Sequence, residues 1–182
     1  MRSCIFPAAT IAMFALFGLV VPRYPKSTHS ALASAENEVA KACPITKPPA
    51  RPFVPPQPYW RDHNPDQFWY GTESLWTLLG VSGTWNIRGN VLENGAAYRT
   101  KLTYWRRGFG LRRESEPRRL TVVAKRLDRE APIVGAEPAN TVFLPTNIPA
   151  MMTAIDIPSI GCWEITAQYR NDSLNFYVSV QP

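Results

Sequence analysis

Three arginine pairs, Arg106-Arg107, Arg112-Arg113 and Arg118-Arg119, flank an expected hairpin loop around Gly108-Phe109-Gly110. Guanidinium groups at this density bind anions, because each offers a fixed fork of donors to phosphate or carboxylate oxygens. The chemistry implied is docking of an anionic polymer or of lipid headgroups. Glu114 and Glu116 lie in the same stretch as partial partners, so the run reads first as a solvated, solubilising loop, with the anion contact as the other reading. The charge pattern around the cluster is uneven. Residues 99–129 hold eleven basic and three acidic side chains, whereas residues 130–182 hold one and five. The formal net charge of +6 therefore hides a chain that is polar in charge along its length.

The remaining reactive residues make weaker constellations. His63 is the one histidine beyond the N-terminal segment, and it sits in the turn-forming run Arg-Asp-His-Asn-Pro-Asp. A nucleophilic triad would need it on a rigid element, so it reads as a loop residue. Asp62, Asn64, Asp66 and Glu73 match positions 1, 3, 5 and 12 of a calcium loop. Gln67 stands where that loop needs glycine, and Pro65 constrains the backbone, so a polar turn is expected instead. No metal or cofactor site is expected. The carboxylates Glu73, Glu93, Glu114, Glu116 and Glu164 could supply an acid/base pair for glycoside hydrolysis, but no spacing selects two of them. Tyr59-Trp60 and Phe68-Trp69-Tyr70 are consecutive aromatics. Alternate strand residues face opposite sides, so Trp69 or its neighbours must either face outward, as a platform for sugar rings, or lie beneath another segment.

Two cysteines, Cys43 and Cys162, remain once Cys4 is assigned to the leader. Arg2, the apolar run Ile5 to Val21, Pro22-Arg23 and the small residues around Ala31, Ala33 and Ala35 form a targeting segment over residues 1–35. It is read as a cleaved signal peptide, with an uncleaved anchor over residues 5–21 as the alternative. Either way the globular part is expected outside the cytoplasm, secreted or periplasmic. In such a compartment an even pair of cysteines is expected to be oxidised. Two unpaired thiols are the other reading. Joined, they would close a loop of about 120 residues, worth roughly 4–5 kcal/mol in the chain-entropy model.

These residues need elements to hold them. Residues 43–58 carry seven prolines, which exclude a helix or a central strand. The expectation is an extended strap over residues 36–67, laid on the surface and pinned at Cys43. From residue 68 onward, runs of four to nine β-branched and aromatic residues end at Gly, Pro, Asn or Asp. They include Phe68–Tyr70, Leu75–Leu79, Thr84–Ile87, Lys101–Arg107, Arg119–Leu127 and Met151–Ile157, and no window keeps a helical period. The spacing predicts an all-β sandwich or barrel over residues 68–182. The end is the clearest part. Trp163, Ile165, Ala167 and Tyr169 share one face; Leu174, Phe176, Val178 and Val180 share another, with residues 170–173 as the turn. Cys162 then points away from the core, toward the strap.

Asp156-x-Pro158-x-x-Gly161-Cys162-Trp163-Glu164-x-Thr166 and the strand after it resemble the last two strands of immunoglobulin-like modules in exported bacterial proteins. Cys43-Pro44-x-Thr46-x-Pro48 and Phe68-Trp69-x-Gly71-x-x-x-Leu75-Trp76 are similar to a group of uncharacterised secreted bacterial proteins. The resemblance implies an immunoglobulin-like β-sandwich with a proline-rich N-terminal strap, and it implies no activity. The position of Cys43, ahead of the first strand, departs from the inter-sheet disulfide of antibody-type domains.

The functional expectation is a non-enzymatic envelope or extracellular interaction module. Its candidate binding residues are Trp69, Tyr70, Arg106, Arg107, Arg112 and Arg113. Its partner would be an envelope polymer, a glycan or another envelope protein. Nucleic acid is not expected for an exported chain, and a membrane is expected only if the leader stays attached. A small hydrolase of envelope carbohydrate, working through paired carboxylates, is the alternative. A structural accessory of a larger membrane complex is a third reading that the residues do not separate from the first.

Overall fold

The computed structural model describes residues 43–87, 98–110, 116–143 and 148–182. Residues 1–35, where a targeting segment is expected, with Cys4, and Glu93, Arg112, Arg113 and Glu114, lie outside the described residues. Ten strands form among the described residues. They are β1 (Gln67–Thr72), β2 (Leu75–Gly80), β3 (Thr84–Asn86), β4 (Tyr98–Trp105), β5 (Leu120–Arg126), β6 (Val134–Gly135), β7 (Asn140–Phe143), β8 (Pro149–Ile157), β9 (Gly161–Tyr169) and β10 (Asp172–Gln181). The one helical stretch among the described residues is a 3-10 turn at Pro117–Arg119. One sheet has the order β1-β2-β4-β8-β7 and the other β3-β10-β9-β5-β6.

Strand alternation decides which side chains meet between the sheets. Across the β9–β10 pair, Trp163 lies opposite Val178, Ile165 opposite Phe176 and Ala167 opposite Leu174. All six point into the core with Leu75, Tyr104, Val122, Met151 and Ile155 from the neighbouring strands. Trp163 and Phe176 are fully buried. Burial of side chains of this size stabilises by roughly 1.5–3 kcal/mol each. Arg170-Asn171 forms the whole turn, with Tyr169 already paired to Asp172 and Arg170 at φ 56°. The turn is thus tighter than the four residues expected.

Two expectations about connections are corrected. The run Lys101–Arg107 does not remain a strand to its end: β4 stops at Trp105, and Arg106 and Arg107 begin a turn. Gly108-Phe109-Gly110 is also not a hairpin tip. It belongs to a crossover, because β4 lies in one sheet and β5 in the other.

The segment 43–66 has no regular secondary structure, yet it is fastened at both ends of its course. Cys43 is disulfide-bonded to Cys162, which faces outward from β9 beside Ser179 of β10. The reading as two free thiols is thereby overturned. Three residues on, Thr46 donates its N–H to the Tyr177 carbonyl, and its hydroxyl oxygen accepts from the Tyr177 N–H. These bonds occupy the edge of β10 that the short β3 leaves open, since β3 pairs only with Ser179, Val180 and Gln181. The chain then reaches the outward face of the other sheet. There Phe53 and Tyr59 pack on Trp76 at centroid distances of 5.6 and 4.9 Å. Trp69, Trp105 and Ala150 complete this second apolar cluster.

Candidate functional site

The end of the sandwich where β4 and β9 finish and β5 begins collects the basic residues. After Trp105 the chain turns sharply, with the Phe109 N–H bonded to the Arg106 carbonyl. Gly110, at φ 75°, passes so close to β8 that a Cβ there would lie 1.7 Å from Pro149 Cγ. Only glycine fits such an approach at a positive φ. The turn drives Phe109 into the core, where it meets Tyr169 edge to face at 6.3 Å. The arginines before it are left at the rim.

Arg106 lays its guanidinium over the ring of Tyr169 at 5.1 Å, and Arg170 approaches the same ring at 5.7 Å. The Arg106 carbonyl accepts from the Tyr59 hydroxyl at 2.7 Å, tying the N-terminal segment to this end. Burial of that hydroxyl pushes its pKa up, so it stays a donor. Arg107 pairs with Glu73 and donates its N–H to the Glu73 carbonyl. Arg119 pairs with Glu116, whose carboxylate also lies 3.9 Å from Arg170. Arg118 is exposed and makes no ion pair among the described residues. With Glu116, Pro117 and Arg119 it lines a shallow cleft of about 380 Å³. Around this end stand Arg106, Arg107, Arg118, Arg119 and Arg170 against Glu73, Glu116 and Asp172, an excess of positive charge. Arg170 is the member that sequence spacing misses. It arrives through the pairing of Leu120 with Tyr169, which brings the start of β5 beside the end of β9.

The other candidates scatter. Trp69 is buried, its indole N–H donating to the Arg61 carbonyl at 2.9 Å and its ring against Trp105 at 5.2 Å. It is therefore covered by the N-terminal segment and offers no open platform. Tyr70 is half-buried at the sheet edge and donates its hydroxyl to the Asn175 carbonyl. Trp60 is the most exposed tryptophan of the described residues, at 37%. His63 lies in an exposed loop with Nδ1 beside the Asn64 carbonyl. Asn64 caps its own turn by accepting from the Asp66 N–H. Glu73 is engaged by Arg107, and among the described residues no three His, Cys, Asp or Glu side chains gather as a metal ion requires.

The carboxylates are engaged as well. Glu137 and Asp156 both bind the guanidinium of Arg99, on an exposed face. A guanidinium between the two fills the space that a scissile glycosidic bond needs. Glu164 accepts from the Tyr177 hydroxyl at 3.2 Å on the outer face of β9 and β10, and its charge raises the tyrosine pKa. At the end opposite the arginine cluster, Arg126 is buried against Asp128 with bonds of 2.6 and 2.9 Å, a third bond to Ser159, and Trp163 at 5.8 Å. The arginine holds the Asp128 carboxyl below its ordinary range. With Arg126 buried and its Nε, Nη1 and Nη2 all engaged, the pair reads as structural.

No helix among the described residues is long and apolar enough to cross a membrane. Comparison with protein families, curated proteins and solved structures finds no match to this chain.

Proposed function

We propose that this chain is an exported, non-enzymatic interaction module whose arginine-rich end docks phosphate-bearing or other anionic groups outside the cytoplasm. The observation that carries the reading is the convergence of Arg106, Arg107, Arg118, Arg119 and Arg170 on one rim, with Arg118 unpaired among the described residues. Guanidinium groups held on a rigid scaffold lose little freedom on binding, which favours anion capture. The disulfide supports export, since such bonds persist in oxidising compartments.

The module is read as immunoglobulin-like. Support comes from the order β2-β4-β8-β7 facing β3-β10-β9-β5-β6, with β3 parallel to β10. In this reading β1 is an added edge strand beside β2, and the proline-rich strap is an addition that covers part of the outward face of the first sheet. The resemblance to secreted bacterial proteins belongs to the same proposal.

The test is binding to inorganic polyphosphate at low and high salt. The variant Arg118→Ala/Arg119→Ala/Arg170→Ala is expected to bind about a hundredfold more weakly at low salt, from the loss of three charges near an anionic surface. High salt is expected to narrow the gap by screening. Lys125→Ala, on the outer face of β5, serves as the control and should bind as the parent does. A triple variant that keeps its fold and its affinity would refute the reading.

A further inference from the structure

The arginine end also carries an apolar residue that no packing explains. Phe143 closes β7 at the edge of the first sheet and is 73% exposed, the most exposed large hydrophobic side chain among the described residues. Its position is tied to the basic rim by three links. Phe143 pairs with Pro149. Pro149 is the residue that Gly110 presses against, just past Arg106 and Arg107. Strand β7 also contacts the 3-10 turn that holds Arg118 and Arg119. An edge strand ordinarily carries charge or proline where it meets water. Here the strand ends instead in a bare aromatic ring with arginines alongside.

We infer that this end binds the surface of an anionic lipid bilayer, with Phe143 entering the interfacial layer while Arg107, Arg118 and Arg119 engage phosphate headgroups. The inference rests on the anion-binding reading above and adds the apolar contact that a soluble polyanion lacks. The physical division is simple. Cationic side chains near an anionic leaflet attract it and are screened by salt. An aromatic ring gains by leaving water for the headgroup and acyl boundary. Neither alone holds a small domain firmly, whereas two signals on one rim do. The charge complementarity favours anionic over neutral lipid. The ring favours a bilayer over a polymer, because a phosphate chain offers Phe143 nothing to enter.

The experiment is co-sedimentation of the full chain with vesicles of phosphatidylglycerol and phosphatidylcholine, compared with vesicles of phosphatidylcholine alone. The readout is the difference between the two lipids, so that any partition through the uncharged run of residues 5–21 cancels. Phe143→Ser is expected to lower the anionic-vesicle partition about tenfold, the change expected when one exposed aromatic ring is withheld from an apolar phase. Phe143→Leu should retain it, and polyphosphate binding by both variants should match the parent. If Phe143→Ser sediments with anionic vesicles as the parent does, or if the parent binds polyphosphate but shows no preference for anionic vesicles, the bilayer inference is overturned and the anion reading stands. If the parent binds neither probe, the anion reading itself fails.

Discussion

Removing the Cys43–Cys162 bond by the double substitution Cys43→Ala/Cys162→Ala should cost about 5 kcal/mol of stability. The figure follows from the sequence separation of 119, which closes most of the folded domain into one loop. In the chain-entropy model a closed loop of that length restricts the unfolded chain by about 5 kcal/mol at 25 °C. The folded state should change little. Thr46 keeps its two backbone bonds to Tyr177, and Phe53 and Tyr59 keep their contacts with Trp76. The loss therefore appears in the unfolded ensemble, which becomes larger and exposes more surface. The assay is urea unfolding followed by tryptophan fluorescence. With a urea slope of about 2 kcal/mol per molar, the midpoint should fall by about 2.5 M and the slope should rise. Because single domains are stable by only about 5–15 kcal/mol, such a loss leaves the variant marginal. A midpoint shift under about 0.5 M would refute the reasoning, since it would mean that closing the long loop does not limit the unfolded chain.

Other outcomes follow from the same contacts. Asp128→Ala strands the buried Arg126 guanidinium and should destabilise by about 3 kcal/mol in thermal or urea unfolding. In the parent, Arg126 depresses the Asp128 pKa in the folded state, so the unfolded chain binds the proton more readily. The pair's contribution is then complete above the ordinary value of 3.8 and is lost as pH falls through the folded value, a decline that Asp128→Ala should abolish in acid titrations. Gly83→Ala introduces a Cβ 1.8 Å from Ile45 Cγ2 at φ 63°, and should cost about 1–3 kcal/mol while loosening the N-terminal segment, read as faster amide exchange at Thr46 and Tyr177. Trp76→Ala should destabilise by about 3–5 kcal/mol even though its face points away from the inter-sheet core, because Phe53 and Tyr59 lose the ring they pack on.

What could be read from the chain follows the range of each physical signal. The β9–β10 hairpin was legible because both strands alternate without interruption and the apolar faces allow one register. The outward direction of Cys162 follows from the same alternation. The strands Val134–Gly135 and Asn140–Phe143 were not legible. They are short edge strands beside glycine and proline, and their pairing partners rather than their own residues define them. Alternation required Trp69 or its neighbours to leave the inter-sheet core without telling what covers them. Phe53 and Tyr59 meet Trp76, and Trp60 and Arg61 meet Trp69, from a stretch with no periodicity at all. The arginine pairs stood out as a local run, but Arg170 did not. It joins them through the β5–β9 ladder, a contact that no local window contains. The basic run also gave no sign that Phe143 shares its end of the molecule.

The proposed working surface is the rim that holds residues 106–110, 116–120 and the β9–β10 turn. The most direct measurement is backbone amide chemical-shift mapping of the protein titrated with polyphosphate. Saturable shifts are expected at residues 106–110, 116–120 and 169–172, with Lys125, Glu164 and Tyr177 unmoved. Shifts confined to the outer face of β5, β9 and β10, or no shifts at all, would contradict that assignment.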